Sequence, residues 1–257
     1  MLVDLSSLQA LVGIYLLPLF RISAMLMAMP IIGTRLVPQR VRLSLALALT
    51  ILIAPLLPEP PVYDPFVIST WFIVAKEILI GAFIGFTLQL LLEVFIIGGQ
   101  MISNQMGLGF ASMTDPANGA SVVALSQFYL ILVMLLFMLM NGHLVMIEIV
   151  TESFYVLPVG ESTIASSSMW QLVLQGGWMI AAGTLIALPA VTALLVVNFA
   201  FGVMTKAAPQ LNIFAIGFPF TMLFGILIVY LSLNGFVGQY DEFARYVLDL
   251  IASYLKA

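Results

Sequence analysis

The residues with the most chemistry to offer sit inside otherwise apolar stretches. Glu77, beside Lys76, opens the run Ile-Leu-Ile-Gly81-Ala-Phe-Ile-Gly85. On a helix, Glu77, Gly81 and Gly85 fall within an arc of about 80°. Glycines four apart let a second helix come close. The pattern fits a charged latch on a tight seam, and equally a charge at the interface above an ordinary packing motif. Glu77 and Glu93 are the candidates for proton transport, and neither has a visible relay partner. Arg21 lies in an apolar segment. Such a cation faces a bundle interior or a wet cavity, or else snorkels to the headgroups or pairs structurally. His143, in Asn141-Gly142-His143, is the only histidine. A single imidazole with no second ligand makes a poor metal site, so it reads as a hydrogen-bonding residue at a helix end.

A second set of candidates lies between Gly98 and Gly119, a stretch rich in Gly, Met and amides between two long apolar runs. Gln100, Ser103, Asn104 and Gly107 share one helical face. That uncharged polar stripe suits a pore wall, and equally a hydrogen-bonded seam between helices. Beyond it run Met106, Gly107, Leu108, Gly109, Phe110, Ala111, Ser112, Met113, Thr114, Asp115, Pro116 and, further on, Gly119. Glycine permits unusual backbone angles, Met and Phe supply soft apolar bulk, and Asp115-Pro116 opposes continuation as helix. The chemistry is that of a deformable plug, with an irregular loop as the plain alternative. Irregular backbone is tolerated at membrane depth only where protein covers it or where it lines a watery cavity.

No catalytic constellation, phosphate loop or metal motif is present in the sequence. The chain has no cysteine, which excludes disulfides and thiolate chemistry. Its residues are 63% hydrophobic and only 8% charged, with a mean hydropathy of +1.18. Soluble domains carry about 25% charged residues, so lipid or apolar subunits must cover most of this surface. A net charge of -4 gives no basic stripe for nucleic acid. The first residues lack the basic start of a cleavable signal, so the first hydrophobic segment is expected to stay.

The elements that must position these residues are helices. Apolar runs at Leu8–Met29, Val41–Leu57, Val67–Ile97, Val122–Ile147, Trp170–Val203 and Ile213–Val237 predict about six spans, since a bilayer core needs ~20 apolar residues of helix. Val67–Ile97 and Trp170–Val203 exceed a straight span and must tilt, break or project. Arg35, Arg40, Arg42 and Lys206 fall in loops on one face, which the positive-inside rule makes cytoplasmic. Glu59, Asp64, Glu148, Glu152 and Glu161 fall in the alternate loops. Pro18, Pro189 and Pro219 predict bends, and Gly217-Phe218-Pro219 a joint. Gln239–Lys256 has apolar residues at helical spacing and charges opposite them. It predicts an amphipathic helix, lying at the interface or packed on a partner. The fold class expected is all-α, an integral membrane protein of long, kinked and broken helices packed as hairpins.

These stretches, taken in order, resemble the FliR/SctT family of type III export-gate subunits. The matching segments are Arg21–Arg42 (RISAMLMAMPIIGTRLVPQRVR), Lys76–Gly85 (KEILIGAFIG), Gly99–Pro116 (GQMISNQMGLGFASMTDP), Ser126–Tyr129, Asn141–His143, Leu188–Ala190 and Gly202–Pro219 (GVMTKAAPQLNIFAIGFP). The resemblance implies a non-enzymatic subunit of a protein-conducting gate, without cofactor or metal, in a helical hetero-oligomeric assembly. Its implied setting is the flagellar basal body in the bacterial inner membrane, projecting partly to the periplasmic side. The partners implied are FliP-like and FliQ-like subunits, an FlhB-like export switch protein, unfolded exported flagellar proteins and membrane lipid, but not nucleic acid. It further implies a FliP-like part over 1–169 with a plug at 106–119, a FliQ-like hairpin over 170–237 and the amphipathic helix over 238–257. Lys76, Glu77, Gly81, Gly85, Lys206, Pro209, Gln210 and Asn212 are then expected at subunit contacts. The alternatives are the homologous injectisome gate and a small-solute secondary transporter with broken helices.

Overall fold

The computed structural model describes residues 12–34, 37–58, 63–64, 67–108, 124–160, 164–207 and 213–256. Within them every regular element is helical. A π-helical turn, Val12–Leu16, runs directly into α1, Leu17–Ala28. Pro18 therefore sits just after the junction of the two, inside one continuous helical run, where its missing N–H leaves a carbonyl of the π-helical turn without its usual donor. After the turn that follows, Pro38 leads into α2, Gln39–Ile53. Arg42 closes that turn by donating from Nη2 to the carbonyls of Thr34 (2.7 Å) and Val37 (2.8 Å).

The central element is α3, Ile68–Gln105, a single helix of 38 residues. Two-thirds of its most apolar stretch, 67%, is buried by the chain itself. Then come α4, Ala124–Leu139, and α5, Gly142–Val156. The break between them falls at Met140-Asn141, and Asn141 takes a left-handed φ of 56°, a conformation Asn tolerates better than most residues. The chain ends in two very long helices, α6 (Ser166–Ala207, 42 residues) and α7 (Ile213–Lys256, 44 residues). Pro189 and Pro219 lie inside them without ending them.

Hydropathy alone predicts about six spans. Among the described residues, four helices are long and apolar enough to cross a membrane, or five if the bent α4–α5 pair counts as one. The described part of the first apolar run, Gly13–Ala28, is shorter than a span. Two further boundaries move. Gly98 to Gln105 forms the last two turns of α3 rather than a loop or a separate short helix, and the amphipathic C-terminal stretch is the continuation of α7.

The chain divides into two compact units. The first takes residues up to 90, 138–174 and those from 245 onward. Leu17, Ile22, Met25, Ile80, Ile84 and Phe154 are buried in it, and Tyr254 meets Phe83 edge-on at 5.4 Å. The second takes 91–137 and 175–244. Its centre is Phe95, packed on Phe236 at 5.0 Å and Phe243 at 5.9 Å, with Tyr129 also on Phe236 at 5.4 Å. The apolar face of the amphipathic stretch is thus used within the chain, because Tyr240, Val247, Ile251 and Tyr254 are all buried.

Candidate functional site

In the first unit, Arg21 and Glu77 meet. Both are fully buried. Arg21 Nε donates to Glu77 Oε2 at 2.7 Å, Nη1 to the Ser153 carbonyl at 2.9 Å and to Ser153 Oγ at 3.2 Å, and Nη2 to the Leu157 carbonyl at 2.9 Å. The guanidinium lies 4.2 Å from the centre of the Phe154 ring, within cation–π range. The Gly160 N–H reaches Glu77 Oε1 at 3.4 Å. Arg21 therefore neither snorkels nor lines a cavity. It caps the carbonyl-rich end of α5, where a helix favours a cation, and Glu77 balances its charge. With four acceptors around the guanidinium and both carboxylate oxygens engaged, the pair works as a clasp among α1, α3 and α5.

Gly81 and Gly85 explain how α1 comes so near. A Cβ on Gly81 would land on the Arg21 carbonyl oxygen, and one on Gly85 would lie 2.7 Å from both the Met25 carbonyl oxygen and Ala28 Cβ. The glycine stripe is the contact between α3 and α1 of this same chain. Lys76, beside the pair, is half-buried.

The second unit holds a cavity of about 450 Å³. Asn104, Gln105, Met106 and Gly107 at the end of α3 line it, together with Asn198, Phe201, Gly202 and Thr205 of α6 and Gly217, Phe218 and Thr221 of α7. The end of α3 is a Schellman stop. The Leu108 N–H bonds back to the Ser103 carbonyl at 3.1 Å and the Gly107 N–H to the Asn104 carbonyl at 3.1 Å. This geometry requires the left-handed φ of +82° at Gly107, which glycine adopts without a Cβ clash. Asn198 Nδ2 then donates to the Gln105 carbonyl at 3.3 Å, occupying one of the helix-end acceptors. Met106 is buried. None of the lining residues can titrate. The cavity offers amides, hydroxyls, two rings and a thioether, groups that bind through hydrogen bonds and contact.

The polar stripe is divided. Gln100 Oε1 accepts from Ser126 Oγ of α4 at 3.0 Å, and Ser103 is fully buried, its hydroxyl finding no bonded partner among the described residues. Gln100 belongs to the seam between α3 and α4. Asn104 is exposed and faces the cavity. Of the expected plug residues, Met106, Gly107 and Leu108 form the end of α3, while Gly109 to Pro116 and Gly119 lie outside the described residues. Lys206 is exposed in the last turn of α6. Pro209, Gln210 and Asn212 lie outside the described residues as well.

The sequence alone gives no sign that Arg21 and Glu77 pair, and its motifs do not single out Asn198, Phe201, Thr221 or Gly225. A sign was available for some of them. Asn198 is a lone amide in an apolar helix, where a polar group is expected to find a partner. Phe218, Thr221 and Gly225 recur at the three- and four-residue spacing of one helix face.

The geometry of this chain has counterparts in sequence. The family model described as bacterial export proteins, family 1, matches residues 12–246. The flagellar biosynthetic protein FliR of Escherichia coli K12 is 39% identical over 216 residues, covering 83% of this chain and 82% of that protein. FliR of Pectobacterium carotovorum is 36% identical over 240 residues, 93% and 91% of the two chains. FliR of Aquifex aeolicus is 32% identical over 219 residues, 85% and 84%. A match that runs from the π-helical turn through most of α7 takes in the clasp, the cavity and every described span, and it makes this chain a member of the bacterial export proteins, family 1.

Proposed function

We propose that the chain is a non-catalytic subunit of the flagellar type III protein export gate in the bacterial inner membrane. It acts there with FliP-like and FliQ-like subunits and an FlhB-like switch protein to pass unfolded flagellar proteins. The observation that carries this reading is the length of α6 and α7 set against their exposed apolar faces. At 1.5 Å per residue α6 is about 63 Å long, twice the ~30 Å of a bilayer core. Trp170, Val173 and Leu174 are exposed near its start and Val196, Phe199 and Val203 near its end, a separation of roughly 50 Å along the helix. Lipid cannot cover both ends of a helix this long at ordinary tilts. Contiguous apolar surface outside the hydrocarbon calls for protein partners, as a subunit projecting from the membrane into a larger assembly has.

Within that assembly, residues 106–119 form the plug, with Phe110 and Met113 as its sealing bulk. Residues 170–237 pack as a hairpin on neighbouring subunits, and Lys206, Pro209, Gln210 and Asn212 contribute at its tip. Phe110→Ala combined with Met113→Ala is expected to let small ions leak across the inner membrane while the complex, recovered by affinity purification and weighed by native mass spectrometry, keeps its composition. An ion-tight variant would remove the plug assignment. Recovery of the wild-type chain as a lone monomer from its own cell would remove the export-gate reading.

A further inference from the structure

The face of α7 formed by Phe218, Thr221 and Gly225 holds the end of α3. Gly225 leaves a notch filled by the Met106 side chain, since a Cβ there would lie 2.5 Å from Met106 Cγ, 2.7 Å from Sδ and 2.8 Å from Cε. One turn earlier, Thr221 Oγ1 points at the Met106 carbonyl, 3.5 Å away, while bonding its own helix at the Phe218 carbonyl at 3.0 Å. A further turn back, the Phe218 ring closes over Gly107, 2.9 Å from where a Cβ would stand. Met106 and Thr221 are buried. Three contacts one turn apart on α7 thus grip two consecutive residues, at the point where Gly107 takes its left-handed turn and the chain leaves α3.

We infer that Phe218, Thr221 and Gly225 are positioning residues of the gate: they form a seat on α7 that fixes the direction in which the chain leaves α3 toward the plug. This rests on the plug assignment above. The physical reason is leverage. A segment leaving a helix inherits its course from the last fixed residues. Here those residues are fixed by a side chain in a notch and a ring over a glycine, contacts that close packing makes specific in shape. Pro219, which removes one backbone donor from α7, lies inside the same turn as Phe218, so the seat and the plug root belong to one mechanical joint.

The test is a swap of bulk across the seam, made in the full chain within its export assembly. Gly225→Leu fills the notch, Met106→Ala empties it, and the two together come within about one carbon of the original volume, close to the kind of exchange cores tolerate best. The readouts are the amount of assembled complex and the leakage of small ions across the membrane. Each single variant is expected to assemble and to leak, and the double variant is expected to be tight. Assembled single variants that stay tight overturn the seat, and so does a double variant that leaks as the singles do. If Gly225→Leu prevents assembly, Phe218→Ala serves in its place. It removes the ring over Gly107 and must leak while assembled, and a tight Phe218→Ala complex overturns the seat. Phe110→Ala with Met113→Ala, run alongside, separates the two ideas. Leakage there with tight seat variants rejects the seat alone, whereas tightness throughout rejects the plug.

Discussion

Replacing Arg21 with Met is the most demanding test of the clasp. Methionine keeps most of the unbranched stem but loses the guanidinium that lies over the Phe154 ring. It removes the cation that bonds the buried Glu77 carboxylate, 2.7 Å away. It also takes the donor from the Ser153 and Leu157 carbonyls. Removing one member of a buried pair costs ~3–5 kcal/mol. A tenfold change in equilibrium corresponds to about 1.4 kcal/mol, so the folded population relative to the unfolded should fall by roughly two to three and a half orders of magnitude. That is a large share of the ~5–15 kcal/mol that holds a typical protein together. Glu77→Gln should cost less, about 2 kcal/mol, because the amide oxygen still accepts from Nε and the carbonyl bonds stay in place. In the double variant no unpaired charge remains, so its loss should be smaller than the sum of the singles by ~1–3 kcal/mol. The measurement is the denaturation midpoint and protease resistance of the complex in detergent, with the steady-state level in membranes as a cellular check. An Arg21→Met complex within about 0.5 kcal/mol of wild type, the range of a neutral surface change, would refute the reasoning. Strict additivity in the double variant would refute it too.

Two further outcomes follow from close contacts. Gly81→Ala places a methyl on the Arg21 carbonyl oxygen, so overpacking of ~1–3 kcal/mol should exceed the gain of about 1 kcal/mol in helix propensity. A lowered melting temperature would show it, and an unchanged or raised one would mean that α1 does not lie where described. Ser126→Ala leaves Gln100 Oε1 without its donor and should cost about 1 kcal/mol. Adding Gln100→Leu should recover part of that loss, read as a shift in denaturation midpoint back toward wild type.

The general character of the fold was legible because composition and length constrain it strongly. So few charges over runs this long admit only helices in lipid or among apolar neighbours. Boundaries were less legible, for a local reason. Gly98 and Gly99 open the Gly-rich stretch, and glycine is a poor helix former in isolation. In the structure they are where α3 packs tightly: Gly98 lies against Gly183 and Ile186 of α6, and Gly99 against Ser126 and Tyr129 of α4. Tertiary contact outweighs the local preference. Gly107, nine residues on in the same Gly-rich stretch, is where the helix does stop, and its positive φ rather than its identity separates the two cases. Arg21 and Glu77 each stood out as charges in apolar runs. Their pairing spans 56 positions, a distance over which one sequence carries no periodic signal. The cavity was the hardest to foresee because three helix ends contribute to it, and its polar residues are scattered over segments far apart in sequence.

The exposed flanks of α6 and α7 also bear on supply. Only 33% and 22% of their most apolar stretches are covered by the chain itself. A copy made in excess of its neighbours must carry those flanks uncovered, and exposed apolar surface is what quality-control proteases and aggregation act on. An orphan copy is therefore short-lived by construction. The number of finished gates in a cell is then expected to follow the scarcest partner, with surplus of this subunit lost rather than stored.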